Sequence, residues 1–244
     1  DWSQFIALQP EEIDSERGVI MEELRTRDGA SLRAQNDMIR NLFKGSLYEH
    51  RNLIGYLDGL KSFDHVALRN FYEKWYRPEY QCLVIVGDID VDSVEAKLKT
   101  LMADIPASPA DAAQKVAHTV PATEEPIVSI FTDPEMTQSS VMMFARREAL
   151  PKEYKNTVIG YSANYIYALV SLMMNNRFEE ISQQADAPFL GGGMSEGSIG
   201  ICPTMESTMF SATAHEGRID EAFRAMYTEM ERMRRHGFTA GEFE

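Results

Sequence analysis

Basic residues are in short supply. Against 38 Asp and Glu, the 244-residue chain carries 24 Lys and Arg, for a formal charge of −14 at pH 7. It lacks the clustered Lys and Arg that grip a phosphate backbone, which argues against nucleic acid as a partner. The same field favours basic peptides. Cysteine is scarcer still. Cys82 and Cys202 stand alone, too few for a disulfide framework or a cysteine-built metal site, so two buried free thiols are expected. No apolar run approaches the roughly 18 residues of a membrane span. Gly191-Gly192-Gly193 has neither the G-x-G-x-x-G spacing nor the Gly-Lys-Ser/Thr ending of a nucleotide loop, and reads instead as a strand bend or a close backbone approach. Asp88-x-Asp90-x-Asp92 begins like a calcium loop, but the loop glycine is missing and Lys99 stands where a bidentate Glu is required. The five histidines, His50, His65, His118, His215 and His236, are scattered singly, and no H-x-x-E-H occurs.

What is present is an ordinary alternation of helical and strand-like segments. Pro10 is placed to open a helix running to about Arg27, where Asp28-Gly29 offers a stop. A second helical segment reaches about Leu47, and Tyr48 to Lys61 reads as a loop. Asp64 can cap a helix bearing Leu68, Phe71, Tyr72 and Trp75 at helical spacing, stopped by Pro78. Tyr80 to Val86 is an apolar, β-branched run that predicts a buried strand, followed by a helix capped at Asp92 and ending near Ala103. From Pro106 to Pro126 the composition turns to Pro, Ala, Ser and Thr without periodicity, a linker. Beyond it, Ile127–Phe131 and Ser139–Arg147 predict strands, Thr157–Gln184 a long helix, and Met205–Glu216 a strand. Ile219, Phe223, Met226, Met230 and Met233 form the apolar stripe of a final helix.

Glu16 and Glu23 are the candidate functional pair. On a helix they lie two turns apart on one face, about 10 Å along the axis, at the margin of a stripe formed by Ile13, Ile20 and Leu24. Acidic helix faces are commonly just solvated, so spacing alone leaves that reading open. The stretch Glu16-Arg17-Gly18-Val19-Ile20-Met21-Glu22-Glu23, however, resembles the helix that supplies the third zinc ligand in the pitrilysin/insulinase (M16) metallopeptidases. A second resemblance to the same family runs through Phe71-Tyr72-x-x-Trp75-Tyr76-Arg77-Pro78 and Leu83-Val84-Ile85-Val86-Gly87-Asp88. Asp133-Pro134-Glu135 and Asp186-Ala187-Pro188-Phe189 look like the periplasmic, PqqL-like bacterial branch of that family.

The resemblance implies an α+β fold of two-layer M16-type units, each a mixed or antiparallel sheet flanked by helices. Residues 1–105 would form the back part of one unit, 106–126 a linker and 127–244 the front part of the next. Leu8–Asp14 and Phe238–Glu244 are alike, each an apolar residue, a polar cap and an acidic helix start, with Thr239 and Glu242 as a capping box. With Asp1 in place of Met and a helix beginning near Glu244, the expectation is a piece of a larger protein. The resemblance further implies a zinc endopeptidase acting on peptides or unfolded polypeptides outside the cytoplasm. Glu23 would be the metal ligand and Glu16 an acid beside the site, with Zn2+ completed by the absent H-x-x-E-H. The piece alone is expected to be inactive and open to self-association through exposed strand edges. Many M16 proteins hold the substrate backbone with an Arg and a Tyr seven residues apart. Here Ser182 and Phe189 occupy those positions, and neither can do so. The alternative is a non-catalytic M16-like scaffold or binding subunit.

Overall fold

The computed structural model describes residues 2–51, 53–200 and 202–243. Asp1 and Glu244, on which the expectation about the two ends rested, lie outside the described residues. The fold is α+β, and the chain gathers into two compact units that are not continuous in sequence. One is made of Asp1–Asp28 with Asn52–Val116, the other of Gly29–Arg51 with Ala117–Glu244.

The first unit is helical. Helix α1 (Pro10–Arg27) opens with Pro10, whose fixed φ suits the first turn, and places Glu11 and Glu12 where the backbone N–H groups are unpaired. The same unit holds α3 (Leu57–Ser62), α4 (His65–Trp75) and α5 (Val91–Leu101). The Asp64 carboxylate accepts from the Ala67 N–H at 2.6 Å, the cap expected for α4. In α5 the cap is Asp90, which accepts from Ser93 N–H at 2.7 Å, rather than Asp92, which falls in the first turn. Arg17 ties α1 to its neighbours. Its guanidinium donates to the carbonyls of Leu60 and Phe63 and lies over the Phe63 ring, 4.0 Å from the centroid.

The buried strand expected over Tyr80–Val86 is not formed. Tyr80 closes a 3₁₀ turn, Pro78–Tyr80, and Gln81–Val86 join no strand, with Leu83 56% and Val86 91% exposed. A lone extended segment gains no ladder hydrogen bonds and hides neither face, and no described segment pairs with this one. Cys82 is therefore exposed, against expectation, whereas Cys202 is buried. The segment expected as a loop, Tyr48–Lys61, contains α3 and the end of a short 3₁₀ turn, Leu47–His50.

In the second unit α2 (Ala30–Leu42) ends five residues before the expected Leu47. Gly45 turns with φ +79, and the Ser46 hydroxyl donates to the Phe43 carbonyl. Ile127–Phe131 likewise joins no strand, although Ser129 donates to Asp37 of α2 at 2.7 Å and Arg33 grips Asp133 at 2.7 Å. The sheet has three antiparallel strands in the order β1 (Ser139–Glu148), β3 (Met205–Ala214), β2 (Gly191–Ser198). The short α6 (Lys152–Lys155) leads into α7 (Val158–Ser182), and α8 (Ile219–His236) and α9 (Ala240–Phe243) complete the chain.

Strand parity sorts the core. Phe210, Ala212 and Ala214 of β3, with Met194 of β2, face Met174 and Phe178 of α7 and Ala222 and Met226 of α8. Met205 of β3 and Phe144 of β1 have the opposite parity and pack with Leu42 and Phe43 from α2. The glycine run lies inside β2, and Gly192 is a close approach. A Cβ there would stand 3.0 Å from Phe178 Cδ1 and 3.2 Å from the Ser211 carbonyl oxygen.

Candidate functional site on helix α1

Helix α1 carries both candidate acids without interruption, so their seven-residue spacing sets them about 10 Å apart along the axis. Of the bordering apolar residues Ile13 is buried, Ile20 and Leu24 are half-buried and Val19 is exposed, so the stripe is shallower than the sequence suggested. Glu16 is exposed and bonds to no described group. Glu23 is 38% exposed and pairs with Arg27 one turn on, at 2.5 Å. Around them the helix surface is laced with charge. Glu22 takes a two-pronged bond from Arg25, which holds its carboxyl below the usual range. Asp14 is lowered in the same sense, first by its 2.9 Å bond to the His65 ring and then by Arg17.

The donor set decides what this helix can bind by itself. Zinc needs three or four protein ligands. No group of three or more His, Cys, Asp or Glu capable of holding a metal occurs among the described residues. Glu23 is a single carboxylate already engaged by Arg27. The described residues therefore do not by themselves make a zinc site.

Ser182 ends α7, its hydroxyl donating to the Glu179 carbonyl, and Phe189 is wholly buried, edge-on to Phe178 with ring centroids 5.8 Å apart. Both serve the fold. Sequence reasoning missed two partly buried charge clusters in the second unit. Arg177 of α7 bonds Glu242 at 2.5 Å and lies over the Phe238 ring. On the sheet, Arg147 pairs with Glu196 at 2.7 Å and Glu206 at 3.4 Å and lies over Tyr167, while the Thr208 hydroxyl donates to Glu196. The available signal was parity, since Glu206 and Thr208 alternate in register with the apolar Phe210 and Ala212.

A helical layer covers one face of the antiparallel sheet in one unit, and the paired acids lie on the first helix of the other. The description "Peptidase M16 inactive domain" matches residues 62–244, and the chain belongs to the M16 peptidase family. Helix α1 lies outside the matched span. Similar proteins cover it. "Probable zinc protease PqqL" of Escherichia coli K12 is 27% identical over 244 residues, all of this chain and 26% of the relative. "Zinc protease PQQL-like" of Arabidopsis thaliana is 30% identical over 190 residues, 78% of this chain and 20% of the relative. The crystal structure of the first half of the periplasmic protease PqqL from Escherichia coli superposes with a TM-score of 0.83 at 26% identity, covering 99% of this chain and 50% of that one. The chain thus spans about a quarter of the length of the curated relatives it matches.

Proposed function

We propose that this chain is a section of an M16 zinc endopeptidase that hydrolyses peptides or unfolded polypeptides, and that by itself it is inactive. In this reading Glu23 is the one metal ligand the chain contributes, Glu16 is the acid beside the site, and the remaining ligands come from residues outside this sequence. The observation that carries it is the pair itself. Two acids stand on one face of an unbroken helix, Glu16 without a partner among the described residues and Glu23 held there only by a neighbouring Arg that can swing away. The names of the PqqL relatives support the chemistry, and the periplasmic description of the Escherichia coli protein supports a site of action outside the cytoplasm. Residues 1–105 then descend from the back of one M16 unit and 127–244 from the front of the next, with 106–126 between them.

A scaffold role is the second reading, favoured by the inactive-type domain that covers residues 62–244. The two readings separate in the complete gene product carrying this sequence, wild type against Glu23→Gln, assayed for zinc and for cleavage of an unfolded polypeptide. About one zinc per chain, lost from the variant together with cleavage, establishes Glu23 as ligand. A zinc-free, inactive wild type, or a variant that keeps both zinc and activity, refutes the assignment.

A further inference from the structure

The chain enters helix α1 through a strained residue. Pro10 opens the helix, and the residue before a proline is held to extended angles. Gln9 accordingly sits at φ −64 and ψ 140. The change of direction therefore falls one residue earlier, on Leu8. Among the described residues it is the one non-glycine with a positive φ, +47. There the Cβ crowds the carbonyl oxygen, which makes this region unfavourable for every residue but glycine. Such a conformation persists only where its surroundings hold it.

What holds it is one face of α4. His65, Arg69, Tyr72 and Tyr76 follow one another at spacings of four, three and four, the period that stacks side chains along one side of a helix. The Arg69 guanidinium donates to the Ala7 carbonyl at 3.1 Å and to the Leu8 carbonyl at 2.9 Å. Those carbonyls flank Leu8, so one cation pins the chain on both sides of the strained residue. The Tyr72 hydroxyl accepts from the Ile6 N–H at 3.4 Å and donates to the Trp2 carbonyl at 3.1 Å. Gln4 donates to the Tyr76 carbonyl and Gln81 to the Ser3 carbonyl, each at 3.0 Å. On α1 itself, Asp14 meets the His65 ring at 2.9 Å. Residues 2–8 are thus a strap tied down along α4, and the strap ends at the turn that launches α1.

We propose that Arg69 is a positioning residue that clamps Leu8 in its left-handed conformation and thereby sets where helix α1, and with it Glu16 and Glu23, stands against α4. With the cation removed, nothing offsets the unfavourable angle at Leu8, and the residue returns to the extended region. Gln9 cannot bend beside Pro10 to compensate, so the first turn of α1 must shift or unwind. A glycine at position 8 would keep the same angle unaided, and the need for Arg69 would disappear. That dependence separates a clamp from a plain tether, which would matter equally whichever residue stood there. The proposal concerns the helix rather than the chemistry of its acids, and it holds whether or not they meet a metal.

The test is hydrogen exchange, followed by mass spectrometry, in the complete gene product carrying this sequence. It is read in peptides that include Ile13, whose N–H donates to the Gln9 carbonyl at 3.0 Å. Arg69→Met should speed exchange there by about 5- to 30-fold, the left-handed penalty of a leucine expressed as an equilibrium, while peptides from α5 stay as in the wild type. In a Leu8→Gly background the same substitution should change exchange by less than about threefold. With Arg69 intact, Leu8→Val should exchange about tenfold faster than Leu8→Gly, because a β-branched residue tolerates this region least. That comparison stands even where Arg69→Met fails to fold. Equal acceleration by Arg69→Met in both backgrounds, no acceleration in either, acceleration spread equally to α5, or no difference between Leu8→Val and Leu8→Gly overturns the proposal. No zinc or cleavage enters the readout, so failure here leaves the metal assignment standing, and failure of the metal assignment leaves the clamp to be judged on its own.

Discussion

Adding one methyl group at Gly192 should destabilise the second unit, whereas the same change one residue earlier should stabilise it. An alanine Cβ at position 192 would meet Phe178 Cδ1 at 3.0 Å, and Phe178 cannot retreat because it is fully enclosed and packed against Phe189. Overpacking of this kind costs about 1–3 kcal/mol, offset by about 0.4–1 kcal/mol from the reduced freedom of the unfolded chain. At Gly191 a Cβ would meet nothing within 4 Å, so only the favourable contribution remains. The two variants should therefore differ by about 1–3 kcal/mol, or about 5- to 150-fold in the opening equilibrium. Both tryptophans, Trp2 and Trp75, lie in the other unit, so their fluorescence would not report the change. Native-state hydrogen exchange at the β3 amides around Phe210 reads it directly. Equal protection in Gly191→Ala and Gly192→Ala would refute the reasoning, because it would mean that Phe178 yields freely.

Two further outcomes follow from the charges and caps. The Glu242 carboxyl is lowered from 4.5 to about 2, first by the Thr239 backbone N–H and then by Arg177. A depressed carboxyl stabilises the folded state above its unfolded pKa and ceases to as it is protonated. The tie between α7 and α9 should hold above about pH 4.5 and be lost as pH falls through about 2. In Arg177→Met an NMR titration of Glu242 should move upward toward 4.5, and an unmoved titration would show that Arg177 has no part in it. In the first unit, Asp90→Ala should cost about 1 kcal/mol in α5 and Asp92→Ala only a few tenths, measured by exchange of the Ser93 and Val94 amides. The reverse order would return the cap to Asp92.

Much of the chain was legible locally. Thr157, followed by apolar residues at helical spacing, announced α7, and its side chain does take the N-cap position. Alternation announced β1 and β3, and Thr239 with Glu242 announced a capping box that forms, with Thr239 N–H donating to Glu242 at 2.8 Å and Glu242 N–H to the Thr239 hydroxyl at 3.3 Å. Tyr80–Val86 and Ile127–Phe131 carry as strong a strand signal as β1 yet make no ladder. Propensity and pattern say that a segment can extend, but only a partner supplies the hydrogen bonds and the cover. Asp90 and Asp92 differ by two positions, and which one caps α5 depends on the residue that keeps extended backbone angles, a boundary finer than the sequence pattern resolves.

For the candidate sites the division is sharper. The helical spacing of Glu16 and Glu23 is a property of the sequence, because a helix keeps its own register whatever surrounds it. The partner of Glu23, Arg27, is local as well, one turn on, whereas whether further ligands stand near depends on groups distant along the chain. The Arg147 cluster is wholly a product of tertiary structure. Arg147, Glu196 and Glu206 come from three strands and meet because the pairing sets Arg147 opposite Glu206 and Glu196 opposite Thr208. A shift of one residue in either pairing would turn a whole strand over and send the charges to the opposite face. Local sequence determined which segments could be helix or strand, while the register of the β1–β3–β2 sheet decided which charges share a buried face beside an open edge.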